Sequence, residues 1–398
     1  MAKHSEISLI YLAGLAQGLA LVTFPAASSI FTSPKDYGLS STQYGAMFLP
    51  QVILAILASS LAPALARRWT LKFVFLLGLG SNLTSMVLLA LSSLFMSSSL
   101  LAYGLLLLAT TALGLGFGAT VMALNTFAEA FFPDRVDSAV LALNALLGVG
   151  TALAPLFVAV FVALGAWWLL PVLVGAALLV LLIFSASAPL RIAADSGTRR
   201  EKNALRTLPL RFWLYAAAIL LYGIVETLNG NWSMLYLVQQ RGVPEVWASF
   251  ALTAFWTMVT VGRVVVAVIS SKVSSRWIYP ILPVLLTVAF LVIAQVSTDV
   301  GGVVAFAFAG LACSAFLPLS ISLGGKEFPL LTSLVSGELI AFYQAGYGIA
   351  AFGIGPLQDR MGVPLSTIYA SASLIAIVMV VLALFVVRPL SVVKKAYM

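Results

Sequence analysis

Apolar runs long enough to cross a bilayer follow one another along the whole chain, separated by short polar stretches. At about 1.5 Å of rise per residue, roughly 20 apolar residues make a helix as long as the hydrocarbon core is thick. Such runs lie at about 7–31, 44–65, 71–93, 100–128, 137–164, 166–187, 211–238, 247–270, 276–297, 301–323, 333–356 and 366–388, which predicts twelve membrane-spanning helices. One long polar connection divides them six and six. The pattern therefore predicts an N-terminal six-helix bundle over 1–190, a linker over 191–210 and a C-terminal six-helix bundle over 211–398. Lys3 ahead of the first run, with Phe24-Pro25-Ala26-Ala27-Ser28 near its end, has the look of a secretory signal. That run has a counterpart later in the chain, so it is expected to be retained.

The counterpart is part of an internal repeat. Leu12-Ala13-Gly14-Leu15-Ala16-Gln17 in the first run matches Leu221-Tyr222-Gly223-Ile224-Val225-Glu226 in the seventh, at an offset of 209. Arg68-Trp69 matches Arg276-Trp277 at 208, and Leu143-Asn144 with Gly148 matches Tyr343-Gln344 with Gly348 at 200. Three similar offsets in the same order point to duplicated halves.

Composition narrows the function classes. A chain of 398 residues that is 62% hydrophobic and 9% charged, with mean hydropathy +1.10, is not a soluble globular protein. A net charge of +8 raises the question of a nucleic-acid partner, and the positions of the charges answer it. All but four of the 21 Lys and Arg fall on one side of a twelve-span topology; Lys35, Arg241 and Arg360 fall on the other, and Arg263 lies within a span. This positive-inside bias predicts cytoplasmic termini and linker, with no nucleic acid bound; the membrane expected is a bacterial inner membrane. A single cysteine, Cys313, and a single histidine, His4, exclude an internal disulfide and thiolate or imidazole metal clusters. No Gly-x-x-x-x-Gly-Lys phosphate cradle occurs. No metal or cofactor is expected, and no nucleophile, base and orienting group can be assembled into an enzyme.

Glu226 changes the picture most. It lies fifteen positions beyond Arg211, about 22 Å along the helix and near the bilayer midplane. A carboxyl at that depth costs several kcal/mol unless it faces a wet cavity, pairs, or binds a proton. Helical steps of about 100° place Tyr222, Glu226, Asn229, Ser233 and Tyr236 on one polar stripe. Two readings follow: a coupling carboxyl that gains and loses a proton, or a structural one bonded to a neighbouring helix or paired with Arg263. Asn229-Gly230-Asn231 is poor helix material, so the outer half of this span is expected to bend or unwind.

Other polar positions are candidates for solute contact. Gln17 occupies the place of Glu226 in the first half as a neutral amide, which hydrogen-bonds without carrying a proton. Asn144, Gly148, Thr151 and Pro155 share one face of the fifth span, for solute contact or close helix packing. Gln344 and Tyr347, with Tyr343 beside them, suit a solute with apolar faces and hydroxyl edges, or else fill a core. Trp232 stacks on a solute or anchors the interface. Glu338 serves as a gate or pairs with Lys326, and Arg263 needs a counter-charge or carbonyls.

Two parallel six-span halves joined by a basic loop resemble the major facilitator superfamily. Ala62-Pro63-Ala64-Leu65-Ala66-Arg67-Arg68-Trp69-Thr70-Leu71-Lys72 is similar to its signature after the second span in the basic residues Arg67 and Lys72. It departs from the signature at Ala62, which replaces Gly, and Ala66, which replaces Asp. Tyr222-Gly223-Ile224-Val225-Glu226, Asn231-Trp232, Tyr236-Leu237, Gly262-Arg263, Asn125 and Tyr343-Gln344-Ala345-Gly346 resemble the fucose:proton symporter branch, although no mid-membrane carboxyl stands in the N-terminal half.

The resemblance implies an all-α membrane protein of the major facilitator fold that takes up a sugar-like solute with a coupling cation by alternating access. Glu226 is then expected to couple. Gln17, Asn125, Asn144, Tyr222, Asn229, Trp232, Tyr236, Tyr343, Gln344 and Tyr347 are expected to contact solute. Arg263, Glu338, Arg67 and Lys72 supply gating or structural charge. The expected partners are a small solute, a proton or sodium ion and the lipid bilayer, with the protein a monomer. The alternative is proton-driven efflux of drugs or small amphipathic metabolites.

Overall fold

The computed structural model describes residues 3–190, 208–270 and 272–388, so the linker expected over 191–210 falls almost entirely outside the described residues. The first span is α1 (His4–Ala26) continued by α2 (Ser28–Thr32), the break at Ala27 following Pro25. The second is α3 (Ser41–Ala46) with α4 (Phe48–Arg68). Next come α5 (Leu71–Ser92), α6 (Ser99–Phe131), α7 (Val136–Ala163) and α8 (Leu169–Ser187). The second half opens with α9 (Phe212–Leu235), which runs into a π-helical turn over Tyr236–Gln240, and α10 (Glu245–Ser270) and α11 (Ser275–Ile293) follow. α12 (Asp299–Cys313) and α13 (Phe316–Glu327) together form the tenth span, followed by α14 (Thr332–Asp359) and α15 (Leu365–Val387).

Among the described residues, eleven of these spans have the length and apolar composition to cross a bilayer. The remaining expected span, the eleventh over 333–356, corresponds to α14, 28 residues long. All regular structure among the described residues is helical, because a chain in hydrocarbon must satisfy its backbone polar groups within each segment.

Two departures from local expectation matter for the site. Asn229-Gly230-Asn231 does not unwind; α9 runs through it unbroken, with Asn229 Nδ2 bonded back to the Val225 carbonyl at 3.0 Å. The irregular backbone lies in the tenth span instead, at Ser314-Ala315. Pro318 explains it: a proline has no N–H, so the Ser314 carbonyl loses its helical partner four residues on.

Within the first half α1 packs along α7, and within the second α9 packs along α14. Both contacts are made backbone to backbone through glycine. A Cβ on Gly18 would stand 2.0 Å from the Leu147 carbonyl oxygen, and one on Gly346 would stand 2.0 Å from that of Leu220. Small residues let helices approach this closely where the solvent offers no hydrophobic drive. Across the halves, α1 meets α9, α7 meets α10, and α3 and α4 meet α14.

Candidate functional site

Glu226 is 4% exposed on α9, and both of its carboxylate oxygens are taken by phenols. Tyr222 donates to Oε1 at 2.7 Å from one turn away on the same helix, and Tyr343 donates to Oε2 at 2.6 Å from α14. Gly223 makes the second contact possible: any Cβ there would lie 2.4 Å from the Tyr343 carbonyl oxygen, so α14 comes close enough for its tyrosine to reach the acid.

Glu226 borders a pocket of about 50 Å³ between the halves. Leu21, Val22 and Pro25 come from α1; Thr227, Gly230 and Asn231 from α9; Trp256 from α10; Tyr343 and Tyr347 from α14. Asn231 donates to the Tyr347 hydroxyl at 3.1 Å. The Trp256 ring stands over Gly230, and its indole N–H is buried with no hydrogen-bond partner among the described residues. The wall thus offers apolar area, two phenols, an amide, a carboxylate and an open donor, which suits a small molecule carrying both ring faces and hydroxyls.

Two side chains close the link between this site and the break in the tenth span. The Tyr222 hydroxyl also lies 2.8 Å from the Cys313 carbonyl, and Arg263 Nε donates at 3.1 Å to the Ser314 carbonyl that Pro318 leaves free. Arg263, expected to seek a counter-charge or carbonyls, has taken a carbonyl.

The remaining candidates are dispersed. Gln17 is fully buried inside the first half, where its Oε1 accepts from Asn82 Nδ2 at 2.6 Å and Asn82 also reaches Thr120 Oγ1 at 3.3 Å. Trp232 is fully buried edge-on to Tyr44, with ring centroids 5.2 Å apart. The Tyr236 hydroxyl donates to the Ile293 carbonyl at 2.6 Å and accepts from Arg241 Nε at 2.7 Å. Asn125 and Asn144 bond back to their own helices, at the carbonyls of Val121 and Val140. Gly148 and Gly150 sit at close helix contacts, against Thr260 of α10 and the Leu15 carbonyl of α1.

Gln344 is half-buried and stands off the pocket wall, and Glu338 is 8% exposed on the same helix. Lys72 donates to the Ala186 and Ala188 carbonyls at 2.7 and 2.6 Å, closing the end of α8, while Arg67 is exposed. Trp256, Thr227 and Asn231 line the pocket without having been candidates. The spacing of Trp256, Thr260 and Arg263 by four and three on one face of α10 was the available signal.

On the face that carries only Lys35, Arg241 and Arg360 of the basic residues, the two halves are pinned together. Thr42 N–H donates to Asp359 Oδ2 at 2.6 Å, the Tyr44 hydroxyl to the Asn231 carbonyl at 2.7 Å, and Gln239 Nε2 to Thr32 Oγ1 at 2.8 Å. α3 and α14 touch through glycine here as well, since a Cβ on Gly355 would lie 2.4 Å from the Ser41 carbonyl oxygen.

Residues 9–337 match the model of the Major Facilitator Superfamily. No curated protein matches the chain significantly in sequence. Solved structures match over 96% of the chain: a variant of the nucleoside transporter NupG at TM-score 0.80 and 12% identity, over 100% of its own length; a D-xylose-proton symporter at 0.74 and 15%, over 96%; and the transporter FucP in an outward conformation at 0.65 and 16%, over 99%.

Proposed function

The chain belongs to the Major Facilitator Superfamily, and on that premise we propose that it imports a small, polar, sugar-like solute together with protons, Glu226 being the group that loads and releases the proton. Membership makes it a multi-pass membrane transporter of a small solute and not an enzyme. The rest of the reading is ours. The six-helix units on either side of the 191–210 connection are the bodies that rock, the basic face is cytoplasmic, the membrane is a bacterial inner membrane, and the working unit is a monomer.

The observation that carries the reading is a buried carboxylate on the wall of a pocket between the halves, held by phenols from two helices. A carboxylate kept at that depth by phenol donors, with no ion pair to it among the described residues, has the makings of a proton site. A neutral, protonated Glu226 lets the closed pocket pass through the bilayer centre without an uncompensated charge. Ties from α3 to α14 and to α9 join the halves on one face, which supports solute release toward the opposite, basic face. The neighbours whose names include a nucleoside transporter and a D-xylose-proton symporter support sugars, free or within nucleosides, as the first solutes to test.

The test is transport in sealed proteoliposomes with an imposed proton gradient and a pH-sensitive dye inside. Uptake of a sugar or nucleoside against its gradient, with proton entry that depends on that solute, is expected. Counterflow of lipophilic cations alone would establish efflux of amphipathic compounds instead, and sodium-dependent uptake without proton entry would replace the coupling ion.

A further inference from the structure

A second cavity lies away from Glu226. It opens at the basic end of the second half, measures about 150 Å³, and is lined by Arg211, Tyr215, Arg276, Lys326, Glu327 and Arg388 together with Leu323, Val386 and Val387. Four cations therefore share a wall with one carboxylate. That carboxylate is already engaged: Arg211 forms an ion pair with Glu327, and Tyr215 donates to Glu327 Oε2 at 2.8 Å. Arg211 is held in place as well, because its Nη2 also donates to the Val386 carbonyl at 2.9 Å. Arg276, Lys326 and Arg388 are left exposed around a shared hollow, and no second carboxylate lines it among the described residues. Like charges gathered on a concave wall raise the local potential and call for a polyvalent anion.

The surroundings set the depth of this hollow. Trp277, beside Arg276, is 73% exposed, and Trp213, two residues beyond Arg211, is 45% exposed. Exposed tryptophans flanking cations mark the headgroup layer of a bilayer, and basic hollows between helices at that layer suit anionic headgroups. We propose that this cavity, closed off by α9, α11, α13 and α15, is a binding site for a phosphate group, gripped by Arg276, Lys326 and Arg388, with the Arg211–Glu327–Tyr215 cluster forming its rigid floor. Guanidinium forks match phosphate oxygens two at a time. The shared chemistry is a phosphate oxyanion, borne by an anionic phospholipid of the surrounding leaflet or by free phosphate. The site is independent of the solute and of the proton reading of Glu226.

The experiment uses the purified full-length protein, with binding followed by native mass spectrometry and by thermal stability in detergent. The probes are soluble short-chain phosphatidylglycerol, short-chain phosphatidylcholine and inorganic phosphate. Phosphatidylglycerol is expected to bind and stabilise the protein, and phosphatidylcholine is not. In the triple variant R276Q/K326Q/R388Q its apparent Kd is expected to rise about a hundredfold. The double variant R68Q/K272Q, two exposed cations elsewhere on the same face, is expected to bind as the native protein does. Displacement of the lipid by inorganic phosphate supports the site and assigns it to a soluble phosphate; lipid binding untouched by phosphate supports it and assigns it to the leaflet. Equal binding of phosphatidylcholine, an equal loss in the double variant, undiminished binding in the triple variant, or no binding of either phosphate probe overturns the proposal. Native helix content and thermal unfolding of the triple variant without ligand show that it is folded.

Discussion

Tyr222 stands one helical turn before Glu226, and its hydroxyl lies 2.7 Å from the Glu226 carboxylate. The same hydroxyl lies 2.8 Å from the Cys313 carbonyl. A phenol has one hydrogen, so it donates to one of these acceptors at a time. An ionised Glu226 is an acceptor only and takes it. A protonated Glu226 has one O–H to donate; when that hydrogen is on Oε1 and bonds the Tyr222 oxygen, the phenol hydrogen is left to the Cys313 carbonyl. That carbonyl ends α12 at the break in the tenth span, so a proton on Oε1 of Glu226 would change a hydrogen bond at the joint of another helix.

Tyr222→Phe keeps the ring, which stacks on Phe316 with centroids 5.5 Å apart, and removes the hydroxyl. Losing a hydrogen bond to a charged group is worth about tenfold or more. Uphill uptake is expected to fall by about that factor, with counterflow reduced less. Uphill uptake at the native rate removes Tyr222 from the coupling path.

Glu226→Gln retains the size of the side chain and two hydrogen-bonding atoms, and it cannot titrate. In sealed vesicles, accumulation against a gradient is expected to disappear while counterflow stays within about tenfold of the native protein. Undiminished accumulation places the coupling proton elsewhere.

Gly355→Val drives branched carbons into the Ser41 backbone, where even a Cβ would lie 2.4 Å from the carbonyl oxygen. The contact between α3 and α14 is expected to open. A cysteine placed at Thr227 is then labelled faster by a membrane-impermeant thiol reagent applied from the Lys35 and Arg360 side, and counterflow slows. Unchanged labelling means that the glycine contact does not hold that face shut.

Gln17→Leu removes the acceptor of a 2.6 Å bond from Asn82 inside the first half. Leaving a buried polar group poorly paired costs about 1–3 kcal/mol. Thermal stability in detergent is expected to fall and the solute KM to stay within about twofold. A large change in KM at native stability would return Gln17 to the solute site.

Periodicity in the sequence alone determined a great deal: the helical spans, their division by a polar connection, the repeated motifs and the place of Glu226 along its helix. These are local properties, carried by residues within one or two turns of each other, and bilayer thickness translates run length directly into span. The stripe holding Tyr222 and Glu226 was legible for the same reason, as two residues four apart on one helix face. What covers a face is a different matter. Gln17 and Glu226 occupy equivalent places in the repeat, yet α1 turns its amide toward Asn82 of α5, while α9 turns its acid to Tyr343 of α14, each within its own half. Only tertiary packing decided that, through the glycine contacts that draw α14 onto α9 and the tenth-span break that frees a carbonyl for Arg263. Sequence spacing orients a side chain on its own helix, and the neighbour it meets is set by how whole helices dock.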